Sequence, residues 1–216
     1  MEGSDDWVQY AIDKPMAAEA GKVWNYSDGG AELLAYIFQK ETGQDIDDYG
    51  QKYLFAPLGI RHEWKRTYLG VADTEGGVYL NGSDLAKIGY LFLQDGMWDG
   101  QRIVPSEWVK ESLTPYFQTD EPQIADNKVD GHISYKYGFL WWVFPLSDST
   151  EYVWMARGMG GQNLLVFPNE KLIVTFTGRD ILPSSSGVEP LPSDFLPLVK
   201  VQTCSGAAIS DHKVPD

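Results

Sequence analysis

A change of periodicity near residue 115 constrains this chain more than any other feature. Before it, apolar residues recur every three or four positions. Residues 28 to 42 carry Ala31, Leu33, Leu34, Ile37 and Phe38 at helical spacing, with Gly43 placed to stop the helix. Asp28 can cap the first turn by accepting a backbone N–H, and its charge suits the positive end of the dipole. DIDDYGQKYLFAPLGI (45–60) reads as a second short helix, stopped by Pro57. GSDLAKIGYLFLQDG (82–96) reads as a third, with Ser83 as its cap, Leu85, Ile88, Leu91 and Phe92 as its buried stripe, and Gly96 after it. Asp99-Gly100 is a strong tight-turn signal, and PSEWVKESL (105–113) is a further short helix.

Beyond residue 115 the texture is different. QTDEPQIADNKVDGH (118–132) reads as a polar loop. Three runs rich in aromatic and β-branched residues follow: YKYGFLWWVF (135–144), EYVWMARG (151–158) and NLLVFPNEKLIVTFTGR (163–179). The last contains Pro168-Asn169-Glu170, which predicts two antiparallel strands around a turn. A Pro/Ser linker (182–194) and a closing helix in DFLPLVKVQTCSGAA (194–208) complete the chain. Helices first and antiparallel strands later give an α+β class. The division is a helical lobe over 1–116 and an antiparallel sheet with its C-terminal helix over 117–216, together one truncated domain. Three or four strands make a thin sheet for a chain with eight Trp and twelve Tyr, so strands are expected to be missing in front. Alternation sends Trp141 and Trp142 to opposite faces of the sheet, so at most one of them can line a pocket.

The totals exclude several function classes. Seventeen basic residues against 31 acidic ones give a net charge of -14, a field that repels phosphate backbones. Nucleic acid is therefore not an expected partner. Cys204 is the only cysteine, and His62, His132 and His212 have no metal-ligand spacing. No metal and no cofactor are expected. No apolar run approaches the roughly 18 residues that span a membrane. The start, MEGSDDWVQYAIDKPM, lacks the charged-then-apolar profile of a signal peptide, and the compartment stays open.

By spacing alone Tyr26-Ser27-Asp28 is a weak signal, since a tyrosine beside a helix start is more often a packing residue than a base. The surrounding blocks add to it. NYSDGGAELLAYIFQKETG, LFAPLGI, GGVYLNGSDLAKIGYLFLQDGMWDGQRIVPSEWVKES, YGFLWW and RGMGGQ occur in this order over roughly residues 5 to 205. Together they resemble the C-terminal two-thirds of the serine β-lactamase-like superfamily. The branch is that of class C β-lactamases, penicillin-binding-type esterases and 6-aminohexanoate-dimer-type amide hydrolases. The resemblance implies a partial β-lactamase/DD-peptidase-like fold and a family often found in the cell envelope. It also implies three motifs: Ser-x-x-Lys with the nucleophile, Tyr-x-Asn, and Lys-Thr-Gly or a variant on a strand.

The second motif maps onto Tyr26-Ser27-Asp28, with Tyr26 as the implied general base and Asp28 where Asn is usual. A Ser-Asp-Asn reading would shift the register to Ser27-Asp28-Gly29; the downstream blocks favour Tyr26. A phenol titrates near 10, so it needs a neighbouring ammonium before it can take a proton from serine. The family supplies that cation from Ser-x-x-Lys. The third motif maps onto Met159-Gly160-Gly161, and the resemblance assigns the backbone N–H of Gln162 to the oxyanion hole. Met159 stands where β-lactam-directed members place a lysine for the drug's carboxylate. Arg157, two residues earlier and so on the same strand face, is about 7 Å away and could substitute. The alternative for Gly160-Gly161 is a bulge or strand end, and for Arg157 a solvated charge.

Only 25 residues precede Tyr26, and the one Ser-x-x-Lys in the chain is Ser210-Asp211-His212-Lys213, in a polar tail. A nucleophile needs a rigid, partly buried helix start. The expectation is therefore a family member without its N-terminal third and its nucleophile, inactive alone. One reading is part of a serine hydrolase that cleaves an ester, amide or β-lactam through an acyl-enzyme. The other is a non-catalytic module that binds a small ester, amide or peptide-like ligand, or serves as an interaction surface. The expected partner is a second copy or a complementary N-terminal chain, met along strand 135–144, 151–158 or 171–177.

Overall fold

The structure, a computed structural model, describes residues 3–119, 135–145 and 151–178. The expected linker, closing helix, Ser210–Lys213 tail and the loop from residue 120 to 132 lie outside the described residues. Helix α1 spans Trp7–Ile12, where Asp6 accepts from the Gln9 amide. Helix α2 spans Asp28–Thr42 and stops at Gly43, whose φ of 68° is left-handed and costs glycine least. Helix α3, Ile46–Gly50, runs into a π-helical turn, Gln51–Phe55, shortly before Pro57. Helix α4 is Gly82–Leu93 and α5 is Ser106–Leu113.

Two caps differ from expectation. Ser27, not Asp28, caps α2: its hydroxyl accepts from the Gly30 amide at 3.1 Å, and Asp28 becomes the first helical residue. Asn81, not Ser83, caps α4, accepting from the Asp84 amide while the Ser83 hydroxyl donates to it. Both caps sit one or two residues earlier because the capping residue must keep extended backbone angles.

Two hairpins interrupt the helices: β1 (Glu63–Trp64) with β2 (Val78–Tyr79), and β3 (Met97–Trp98) with β4 (Gln101–Arg102). The second turns at Asp99-Gly100, where both φ angles are positive as that dipeptide predicts. Among the described residues the main sheet has six strands rather than three or four: β5 (Phe117–Thr119), β6 (Tyr135–Tyr137), β7 (Trp142–Pro145), β8 (Tyr152–Gly158), β9 (Gln162–Phe167) and β10 (Leu172–Thr177). Each pairs antiparallel with its neighbour in sequence. The mixed helix and antiparallel-sheet class is as expected.

The run 135–144 is two strands, not one. Gly138 donates to the Trp141 carbonyl at 2.9 Å and Leu140 takes a positive φ, which closes a turn. A Cβ on Gly138 would lie 2.2 Å from the Ser112 carbonyl oxygen, so only glycine lets the turn seat on the end of α5. Of the three strands expected to meet a partner, 135–144 and 151–158 are interior. Among the described residues the sheet ends at β10 and at β5, so of those three only 171–177 lies at an edge.

Trp141 and Trp142 do take opposite faces. Trp141 joins Val109, Leu113, Leu164 and Val166 beneath Leu85, Ile88 and Phe92 of α4. Gly89 permits that contact, since a Cβ there would be 2.8 Å from Leu164. Trp142 joins Phe144, Val153, Met155, Leu165 and Phe167 on the other face, with Trp24 and Tyr137 packed on them. Burying each such side chain is worth about 1.5–3 kcal/mol. Helix α2 behaves otherwise. Its buried positions are Glu32 and Ala35; of the five stripe residues Ala31, Leu33 and Phe38 are partly buried, while Leu34 and Ile37 are half exposed.

Candidate active site

Tyr26 immediately precedes the Ser27 cap, so the start of α2 fixes where its ring emerges. The ring stacks on Trp142, with centroids 5.8 Å apart and planes inclined by 20°. Trp24 and Tyr137 complete the cluster, each 6.4 Å from Tyr26 between ring centroids. Such offset and edge contacts add to the area term. Tyr26 nevertheless remains 46% exposed. It is an anchor whose surface is still open.

The charges around it set its chemistry. Burial pushes the Tyr26 phenol up from its ordinary value, the Asp28 and Glu75 carboxylates push the same way, and Arg157 opposes them. Tyr137 is pushed up further, first by burial and then by the charge of Tyr26. As it stands, then, Tyr26 is a neutral phenol. Another cation must approach before it can accept a proton.

Arg157 reaches this site through strand alternation. Val153 and Met155 lie on the Trp142 face, and Arg157 is the next residue of β8 on that face. Met159 is not on it. Strand β8 ends at Gly158 and Met159 is 83% exposed in the turn to β9, so the alternation expected to bring it to Arg157's side has already stopped. Gly160 and Gly161 have φ values of 88° and 83°, and Gln162 opens β9 opposite Gly158. The Gly160-Gly161 pair is thus a strand end.

Three residues beside the site were not singled out from the sequence. Gly178 donates to the Gly161 carbonyl at 3.0 Å, and a Cβ there would lie 2.3 Å from the Gly160 oxygen. Asn163 faces Arg157 across the β8–β9 ladder and is almost fully buried, with its Nδ2 making no hydrogen bond among the described residues. Glu32 is wholly buried in α2. A polar residue inside an apolar strand was the available signal for Asn163, and the same exception in α2 for Glu32. Nothing in sequence spacing ties Gly178 to Gly161.

The family model for Beta-lactamase matches residues 1–179. The chain belongs to the beta-lactamase family. Within this serine beta-lactamase-like superfamily, curated relatives include an uncharacterised protein of Alkalihalophilus pseudofirmus, 28% identical over 71% of this chain and 51% of its own length. The 6-aminohexanoate-dimer hydrolase of Paenarthrobacter ureafaciens is 24% identical over 70% of this chain and 38% of its own. The chain therefore spans about half the length of these relatives, or less. Among solved structures, a Bacillus anthracis protein described as a 6-aminohexanoate-dimer hydrolase superposes with a TM-score of 0.67 at 18% identity, covering 89% of this chain and 46% of that one. A penicillin-binding protein homolog from Caulobacter crescentus gives 0.60 at 12%, covering 82% and 62%. These likenesses show the beta-lactamase fold. Among the described residues no helix is long and apolar enough to cross a membrane.

Proposed function

We propose that the chain supplies one wall of the active site of a serine acyl hydrolase in the beta-lactamase family. Tyr26 is the general base, the Gln162 backbone N–H donates to the oxyanion, and the nucleophile comes from a Ser-x-x-Lys segment outside these 216 residues. The observation that carries this reading is the position of Tyr26, held on Trp142 with Asp28, Glu75 and Arg157 acting on its phenol. In the reaction Tyr26 takes the proton of the serine hydroxyl as it attacks the carbonyl, then returns it to the leaving oxygen or nitrogen. A water molecule repeats the cycle to release the acyl group. The lysine of Ser-x-x-Lys supplies the cation that the described residues around Tyr26 provide only through Arg157.

The substrates proposed are small esters or amides. An exposed Met159 offers no charge to a β-lactam carboxylate, so penicillins are the poorer class. The ligand wall comprises Asp28, Arg157, Met159, Gly160 and Gly161. Labelling with a fluorophosphonate tests the reading. The chain alone stays unlabelled, and joining it to a segment that carries Ser-x-x-Lys gives a covalent adduct and turnover of p-nitrophenyl acetate that Tyr26→Phe removes. An adduct on the chain alone at Ser210 would overturn it. The second copy or complementary chain expected as partner is proposed to cover the exposed Leu34 and Ile37 of α2.

A further inference from the structure

Glu32 sits on the buried side of α2 with no exposed surface, while Leu34 and Ile37 of the same helix face outward. Turning a carboxylate inward and two aliphatic residues outward is costly unless the carboxylate holds something. Its Oε2 accepts the Thr74 backbone N–H at 3.0 Å, across 42 residues of sequence. The Thr74 hydroxyl donates to the Ala31 carbonyl at 2.9 Å, one residue before Glu32. Two bonds therefore tie Thr74 to the second turn of the helix that Tyr26 introduces. The Glu75 backbone N–H also acts on this carboxylate, whose Oε1 has no hydrogen-bond partner among the described residues.

What Thr74 belongs to is a closed turn, Asp73–Gly77. Gly77 donates to the Asp73 carbonyl at 3.1 Å, and Gly76 to the Asp73 side chain at 3.2 Å. A Cβ on Gly77 would lie 2.6 Å from the Asp73 oxygen, so this turn takes only glycine there. The Trp64 indole N–H also donates to that oxygen at 2.6 Å. Glu75 stands in the middle of this turn.

We propose that Glu32 is a positioning residue for the Tyr26 site: by holding Thr74, it fixes the Asp73–Gly77 turn so that the Glu75 carboxylate faces Tyr26. The charges acting on Tyr26 are then Asp28 from α2, Glu75 from the turn and Arg157 from the sheet, with Tyr137 beside it. Burial, Asp28 and Glu75 in that order favour the protonated phenol, and the proton's return to the leaving group is favoured by the same field. The meaning for catalysis rests on the proposed role of Tyr26. The geometry does not, and the two are tested separately.

The test uses the full chain carrying ring-fluorinated tyrosine, whose phenol titrates in a milder range, read by fluorine NMR. Tyr26 is assigned by the resonance lost in Tyr26→Phe. Glu75→Gln should lower the Tyr26 midpoint, because it removes one of the two carboxylates that raise it. Glu32→Leu should lower it comparably, the double variant should add nothing, and Glu32→Gln, which keeps an acceptor for Thr74, should restore it. In parallel, the Thr74 amide should exchange slowly in the unaltered chain, a measurement that stands even if Glu32→Leu fails to fold. A fast Thr74 amide, an unmoved midpoint in Glu75→Gln, or a Glu32→Leu protein that melts earlier with the midpoint unchanged would each overturn the proposal. Failure of Tyr26→Phe to affect turnover in the joined protein would instead sink the catalytic reading and leave this one standing.

Discussion

The Tyr26 ring lies over the Trp142 indole, 5.8 Å between centroids and 20° from parallel. That contact joins the residue just ahead of the α2 cap to the middle of the sheet, so the ring anchors the helix start while its hydroxyl end stays open. Tyr26→Phe keeps the stack and should change stability by no more than about 0.5 kcal/mol. Tyr26→Ala loses the ring and should cost at least the roughly 0.5–1.5 kcal/mol of the aromatic contact, plus its buried area. Urea titrations of both variants check this, and equal losses would mean that the hydroxyl holds the fold.

Substitution at Met159 separates the substrate classes. The side chain is exposed in a turn, so Met159→Lys should leave the melting temperature essentially unchanged. In a protein joined to its nucleophile, a charge-assisted contact of about 1.5–3 kcal/mol should raise penicillin acylation roughly ten- to a hundredfold. Rates with penicillin and with a neutral ester decide it. Equal gains for both would show that the position does not read a carboxylate.

Gly178→Ala should disturb the turn before Gln162 more than its size suggests. The new Cβ would lie 2.3 Å and 2.6 Å from the Gly160 and Gly161 oxygens, both backbone, so the chain itself must move. A loss of about 1–3 kcal/mol is expected, with amide shifts concentrated at residues 160–162. An unshifted Gln162 amide would contradict it.

The sign of the pH dependence at Glu32 follows from its surroundings. Burial raises its pKa above the ordinary 4.5, against the pull of the Thr74 amide. A group whose folded value is raised contributes stability fully below its unfolded value and loses it as pH rises through the folded one. Glu32→Gln removes that dependence while keeping an acceptor. The melting temperature of the variant relative to the parent should therefore improve as pH rises above the ordinary value of 4.5. A constant difference would place the Glu32 carboxyl in an unperturbed state.

Half-exposed Leu34 and Ile37 predict association at micromolar concentration, against the net charge of -14, whose reach is limited to about 10 Å at 0.1 M salt. Sedimentation velocity should show an oligomer that Leu34→Lys with Ile37→Lys converts to monomer. A cooperatively melting monomer of the parent chain would remove this expectation.

What the sequence made legible was local. Gly43, Asp99-Gly100 and Pro168–Glu170 mark their turns because a positive φ or a fixed one restricts the residue type there. The tryptophan pair sorted to two faces because strand period is two. The α2 stripe held only in part, with Ala31, Leu33 and Phe38 partly buried and Leu34 and Ile37 half exposed, since periodicity tells which residues share a face and not how far that face is covered. The six-strand count was missed for a related reason: Gly138 reads as part of a strand until the carbonyl of Ser112, distant in sequence, shows why no side chain fits. Tyr26 could be singled out only through resemblance, and the Glu32–Thr74 bond that organises its neighbourhood spans too much sequence for spacing to reveal.

The order of the sheet bears on how the chain is made. Every strand from β5 to β10 is bonded to the one synthesised just before or after it. Each hairpin can therefore close as it leaves the ribosome, without waiting for distant sequence, and contacts of that kind form early and fast. The Trp142 surface exists only once β7, β8 and β9 are together, by which time Trp24 and Tyr26 have long been outside the tunnel. Tyr26 should thus take its place late in translation, as a finishing contact laid onto a sheet that has already formed.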